Sequence, residues 1–234
     1  LKDNNFATIV TAIKEGRTIF SNIRKFITYD LSCTFAELFI IIFAVIFGSK
    51  LGWPIPILLP LQILFMNMVV DNFSSIALGF NPSSNDIMLE KPKMRDILNK
   101  NLIYLFLFAG ILTAGFTLAV YFFIFNVLGM SSAYAITTTV LTLILLQIFG
   151  SFVFRSFRKG VFNRSLVTNK YLFYASLISI VATIVIIYTP LNNIFGMISL
   201  SIIQWIIAVG VGILFILIFD VLKLVNNKFK FWSV

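Results

Sequence analysis

Residues 61–80 read "LQILFMNMVVDNFSSIALGF", a nearly unbroken apolar run of helical length with Asn67 and Asp71 set inside it. Together with the preceding "PIPILLP" the run is long enough to cross about 30 Å of hydrocarbon at 1.5 Å per residue. An ionised carboxylate at the centre of such a helix costs roughly 2.5–3.5 kcal/mol. Whatever compensates Asp71 therefore bears on what the chain does.

The rest of the sequence has the same character. Of 234 residues, 59% are hydrophobic, 12% are charged and 27 are Phe, which is more apolar surface than a soluble domain of this length hides. Apolar segments lie near 26–48, 56–79, 102–128, 133–154, 171–189 and 198–222, and predict an all-α polytopic bundle of six membrane helices. The chain has no His and a single Cys, Cys33, which excludes internal disulfides, thiol metal clusters and imidazole catalysis.

The net charge of +9 follows topology. With both termini cytoplasmic, 17 of the 18 Lys and Arg residues fall on the inner side and only Lys50 lies outside. The basic balance then reports orientation and contact with anionic headgroups of the lipid bilayer, and nucleic acid is not needed as a partner. Trp53 and Tyr188 fall at the outer borders, and Tyr29, Tyr104 and Tyr171 near the inner ones, where an aromatic belt is expected. Asn163-Arg164-Ser165 matches a glycosylation sequon but falls on the cytoplasmic side by this charge count, so it reads as chance.

Ahead of the first span, Phe6, Ile9, Val10, Ile13, Phe20 and Ile23 recur at helical spacing after the capping-type run Asp3-Asn4-Asn5. Residues 1–25 are thus expected to form a cytoplasmic stalk helix running straight into a transmembrane domain over 26–225, with 226–234 a cytoplasmic tail. Leu1, in place of Met, is expected of a piece of a longer polypeptide.

Seven of the nine acidic residues sit at interfaces or in loops: Asp3, Glu15, Asp30, Asp86, Glu90, Asp96 and Asp220. The other two do not. Glu37 lies near the midpoint of the first span, and Asp71 lies about three residues from the midpoint of the second. No Lys, Arg or His occurs at that depth, which leaves protonation, water or a bound cation to hold them. Neighbouring oxygen donors favour the cation: Asn67 is four residues before Asp71, and Thr34 three before Glu37. Gln147, the most polar residue in the middle of the fourth span, adds an amide. A hard cation such as Ca²⁺ takes six to eight oxygens from such groups. The threonines of that span, Thr137, Thr138, Thr139 and Thr142, are expected to bond their own i−4 carbonyls.

With the acids placed, the order of segments resembles the C-terminal half of the membrane domain of P-type cation-transporting ATPases, the calcium-pump-like branch. "DNNFATIVTAIKEGRTIFSNIRKFITYDLS" looks like the stalk and start of that family's fifth membrane helix. "PLQILFMNMVVDNFSSIALGFNPSSNDIMLEKP" resembles its sixth helix and the loop after it, and "FNRSLVTNKYLFYA" the loop before its ninth. The resemblance implies that Glu37, Asn67 and Asp71 are ion ligands. Val70 stands where the family has Thr, Thr34 where it has Asn on the fifth helix, and Gln147 where some calcium pumps have an acid on the eighth. These departures fall mostly on the first of two calcium sites, so a single-ion pump is expected. Asn72 and Ser74 replace the Gly and Pro that help unwind the family's sixth helix, which puts that unwinding in question.

The resemblance further implies Ca²⁺ as the transported cation, with Mn²⁺ an alternative, in a cell-membrane protein. It implies that ATP and Mg²⁺ act only through cytoplasmic domains outside this sequence, together with the first four membrane helices as partners. No Asp-Lys-Thr-Gly-Thr phosphorylation sequence occurs, so the chain alone is not expected to hydrolyse ATP. Two other readings use the same residues: a secondary or proton-coupled transporter, and a non-transporting scaffold remnant of a pump.

Overall fold

The computed structural model describes residues 6–83, 87–88, 97–161 and 168–229. The run Asp3-Asn4-Asn5, the acids Asp86, Glu90 and Asp96, the sequon at 163–165 and the final residues 230–234 lie outside them. Among the described residues the regular structure is all helical, with six helices long and apolar enough to cross a membrane.

Stalk and first span form one helix, α1 (Phe6–Phe47). Between Arg17 and Phe47 it contains neither Gly nor Pro, so nothing in its sequence interrupts the hydrogen-bond ladder. At 1.5 Å per residue it is about 60 Å long, roughly twice the hydrocarbon thickness. A short 3₁₀ turn (Ser49–Leu51) follows, closed by Gly52 at φ 71°, a left-handed conformation that favours glycine.

The second span comprises α2 (Pro60–Phe65), a π-helical stretch (Met66–Asp71) and α3 (Asn72–Gly79). It begins at Pro60, later than the hydropathy suggested. Proline is favoured at the first helical position, and the Gln62 side chain accepts the Leu59 N–H at 2.9 Å. The remaining spans are α4 (Lys100–Phe122), extended by a second π turn (Phe123–Val127), then α5 (Ser132–Phe154), α6 (Lys170–Tyr188) and α8 (Ile202–Phe229). A single turn, α7 (Leu191–Ile194), lies before α8. Asparagines cap two of the starts: Asn99 accepts from the Leu102 N–H, and Asn169 from the Leu172 N–H. Gln204 reaches back to the Ser201 N–H at 3.1 Å and to its hydroxyl, which sets the start of α8 past the expected residue 198.

α5 is the innermost helix: 83% of its most apolar window is buried, against 50% or less for every other span. It packs against α1, α4, α6 and α8. Thr137, Thr138 and Thr142 donate to the carbonyls of Ala133, Tyr134 and Thr138, as expected for threonine in an apolar helix. Thr139 is equally buried, but its hydroxyl has no partner among the described residues. α1 and α4 come close at Gly110, where a Cβ would lie 2.7 Å from the Phe35 ring and 3.0 Å from Ser32 O.

The loop ends of the bundle are tied by side chains to backbone carbonyls. Arg17 and Asn22 of the stalk donate to Ile87 O and to Gly79 O and Asn81 O, and Arg24 donates to Ile97 O. Asn169 donates to Ala77 O at 2.8 Å. From α8, Lys223 donates to Val153 O at 2.6 Å, and both oxygens of Asp220 accept the Val161 N–H. Carbonyls at the ends of α3 and α5 thereby gain side-chain partners.

Two residues read as belt aromatics are instead interior. Trp53 is buried because its indole N–H bonds Asn126 Oδ1 at 2.6 Å while Asn126 donates to Leu51 O. Tyr29 is fully enclosed, with its hydroxyl between α5 and the π stretch. Tyr104, Tyr171 and Tyr188 are exposed.

Candidate cation site

Three helical segments bring polar side chains together inside the bundle. α1 supplies Tyr29 and Glu37, the π stretch supplies Asn67 and Asp71, and α5 supplies Gln147. Tyr29, Cys33 and Glu37 form an i, i+4, i+8 row on one side of α1, and all three are buried.

Helical geometry changes where the second span meets this row. The Asn72 N–H reaches back five residues to Asn67 O, a π register where an α register would stop at Met68. Such a bulge widens the helix by one residue and leaves its carbonyls less regularly paired. Ser179 of α6 donates to Val69 O at 3.2 Å and compensates one of them. The departure from α geometry that glycine and proline were expected to supply is thus present without them, with Asp71 as its last residue.

Gln147 is the hub. Its Nε2 donates to Glu37 Oε1 at 2.9 Å and to Asp71 Oδ2 at 3.2 Å. Asn67 Nδ2 donates to Glu37 Oε2 at 3.1 Å and, with its other hydrogen, to Ile63 O. The Tyr29 hydroxyl lies 3.3 Å from Asp71 Oδ1 and 3.2 Å from Gln147 O. Glu37 is 4% exposed, Asp71 2% and Gln147 1%, so both carboxylates are buried, and one amide bridges them. Asp30, about two turns before Glu37 on α1, accepts a hydrogen bond from Ser75 at 3.3 Å.

Four of the five candidate ligands are therefore joined: Glu37, Asn67, Asp71 and Gln147. Thr34 is not. It stands exposed on α1, because i−3 from Glu37 falls outside the buried stripe while Cys33, at i−4, falls inside it. Tyr29 belongs to the cluster although its sequence position suggested an interfacial aromatic; its place in the Tyr29–Cys33–Glu37 row was the available signal.

The chemistry is that of hard oxygen ligands. Among the described residues no three of His, Cys, Asp and Glu gather at metal-binding distance. The set is two carboxylates, two amides that present oxygen when turned, and a phenol. Such donors suit Ca²⁺ or another hard cation, with the remaining ligands from backbone, water or other helices.

Comparison with known proteins agrees with this architecture. The family profile described as "Cation transporting ATPase, C-terminus" matches residues 55–225. The chain is 36% identical over 215 residues to a calcium-transporting ATPase of Bacillus subtilis, covering 91% of this chain and 24% of that protein. It is 31% identical to calcium-transporting ATPase 1 of Bacillus cereus, covering 97% and 27% of the respective chains. It is 32% identical to calcium-transporting ATPase type 2C member 1 of Mus musculus, covering 97% and 24%. The chain thus spans about a quarter of the length of the curated relatives it matches.

Proposed function

The chain belongs to the cation-transporting ATPase C-terminal family, and on that premise we propose that it is the membrane-transport segment of an ATP-driven Ca²⁺ pump. The observation that carries this reading is the pair of enclosed carboxylates, Glu37 and Asp71, joined through Gln147 with no cationic side chain bonded to either among the described residues. Glu37, Asp71 and Asn67 are the ligands of the transported ion, with Gln147 beside them. Mn²⁺ is the alternative cargo, since the same oxygens serve it.

In this reading residues 1–25 are a cytoplasmic stalk, 26–225 the six-helix membrane domain and 226–234 a cytoplasmic tail, with both termini inside the cell and the pump in the cell membrane. The partners are the lipid bilayer and the N-terminal part of the pump, whose four membrane helices and cytoplasmic domains bind ATP and Mg²⁺. The exposed apolar residues Ile9, Val10, Ile13, Ile19 and Ile23 on the stalk, and the exposure of Thr34 beside the cluster, are consistent with surfaces that other elements cover. Phosphorylation upstream would move the stalk. The grip of Arg17 and Asn22 on the loop after α3 would carry that motion to the π stretch that holds Asn67 and Asp71.

The test is uptake by membrane vesicles carrying the complete pump. Ca²⁺ should accumulate when ATP is supplied, fail to accumulate under a proton gradient without ATP, and lose ATP-driven accumulation in Glu37→Gln. Uptake driven by a proton gradient alone would support a secondary transporter instead. Normal ATP-driven uptake by the variant would remove Glu37 from the site.

A further inference from the structure

We propose that Gln147 sets how tightly this site holds its cation by serving in turn as hydrogen-bond donor to the carboxylates and as oxygen ligand to the ion. The inference rests on the reading of the cluster as a cation site and adds to it a role for one residue.

Two observations carry it. The first is that a single amide nitrogen spans both acids, 2.9 Å from Glu37 Oε1 and 3.2 Å from Asp71 Oδ2. With both carboxylates ionised, as a cation site requires, nitrogen is the atom that fits there, because an amide oxygen at those distances would face two carboxylate oxygens with no proton between them. The second is that the other end of the same amide, Oε1, is buried with no hydrogen-bond partner. A buried acceptor without a partner is unfavourable, and native interiors rarely keep one.

A cation between Glu37 and Asp71 reverses both preferences. It repels the N–H and attracts Oε1. A half-turn about the terminal side-chain torsion, which is broad for glutamine, exchanges the two atoms without moving the backbone of α5. The amide N–H and the cation therefore compete for the same carboxylate oxygens. Competition weakens binding and favours release, while the turned carbonyl still contributes one ligand. Because residue 147 is neutral, the site keeps two acidic groups, the charge that one divalent ion matches.

The contrary view makes Gln147 a strut that fixes α5 to α1 and to the π stretch. Both Gln147→Glu and Gln147→Met lose the bridging N–H, so a strut predicts the same shift for both. Our account separates them, because glutamate keeps an oxygen ligand and loses the competitor, whereas methionine loses both. In the complete pump, Q147E should lower the Ca²⁺ concentration for half-maximal ATP-driven uptake by about threefold or more and slow the maximal rate, while Q147M should raise that concentration by a similar factor. Equal shifts in one direction, or no shift in Q147E, overturn the proposal.

If either variant fails to fold, judged by thermal melting, Gln147→Lys supplies the converse arm. It keeps donors and has no acceptor, so Ca²⁺ saturation should disappear; retained saturation overturns the proposal. Asp71→Asn is measured alongside. Normal uptake by Asp71→Asn removes the cation-site reading itself, whereas an inactive Asp71→Asn with indistinguishable position-147 variants removes only the role of Gln147.

Discussion

Tyr29 and Asp71, 42 residues apart in sequence, meet across the interface of α1 and the π stretch at 3.3 Å. The same hydroxyl lies 3.2 Å from Gln147 O, so one phenol touches all three helical segments of the site.

Tyr29→Phe should therefore destabilise the chain without breaking the fold. The ring keeps its edge-to-face packing against Phe154, and only the hydroxyl is lost. A buried carboxylate deprived of one donor costs about 1–3 kcal/mol. The expected result is a lowered melting midpoint of the complete pump without Ca²⁺ and no rise in the half-saturating Ca²⁺ concentration, since the hydroxyl, like the Gln147 N–H, competes with the cation for Asp71.

Gly110 marks a close approach of α1 and α4, and Gly110→Val should destabilise the bundle. Its Cβ would sit 2.7 Å from the Phe35 ring and 3.0 Å from a backbone oxygen, and the backbone cannot give way. Overpacking of this kind costs about 1–3 kcal/mol. Thermal unfolding in detergent should show a lowered midpoint, while Gly115→Ala, where a Cβ meets nothing, should not.

Asn126 secures the loop after the first span by accepting from Trp53 and donating to Leu51 O. Replacement by Leu leaves the buried indole N–H unpaired, at a cost of about 1–3 kcal/mol. The expected readouts are a lowered melting midpoint and faster proteolysis of residues 48–59, with the half-saturating Ca²⁺ concentration unchanged.

Lys223→Met should loosen the end of α5. The ammonium bonds Val153 O at 2.6 Å, at a helix end where a positive charge is favoured, and methionine fills similar volume without the bond. Faster amide exchange at 153–159 than in the wild-type chain is expected. Exchange rates equal to wild type would show that the contact holds nothing.

The helices were legible in the sequence because apolar length marks them directly, whereas the start at Pro60 and the caps Asn99 and Asn169 emerge only in the structure. So were the two acids, since Glu37 and Asp71 stand in otherwise apolar runs. The π stretch was not, because nothing in "MNMVVD" breaks a helix; the stretch packs against α5 and α6 and is hydrogen-bonded to α1. Thr34 and Tyr29 were misplaced for a related reason. Spacing along one helix shows which residues share a face, but the neighbours decide which face is turned inward. They turned Cys33 and Tyr29 in and left Thr34 out. Gln147 was legible as an amide near the acids, but not as the donor that bridges them.

The most direct test of the central claim is equilibrium ⁴⁵Ca²⁺ binding to the complete pump, wild type against Asp71→Asn, with melting curves to establish that both are folded. The account predicts saturable binding in the wild type and its loss in Asp71→Asn. Undiminished binding by the folded variant would contradict it.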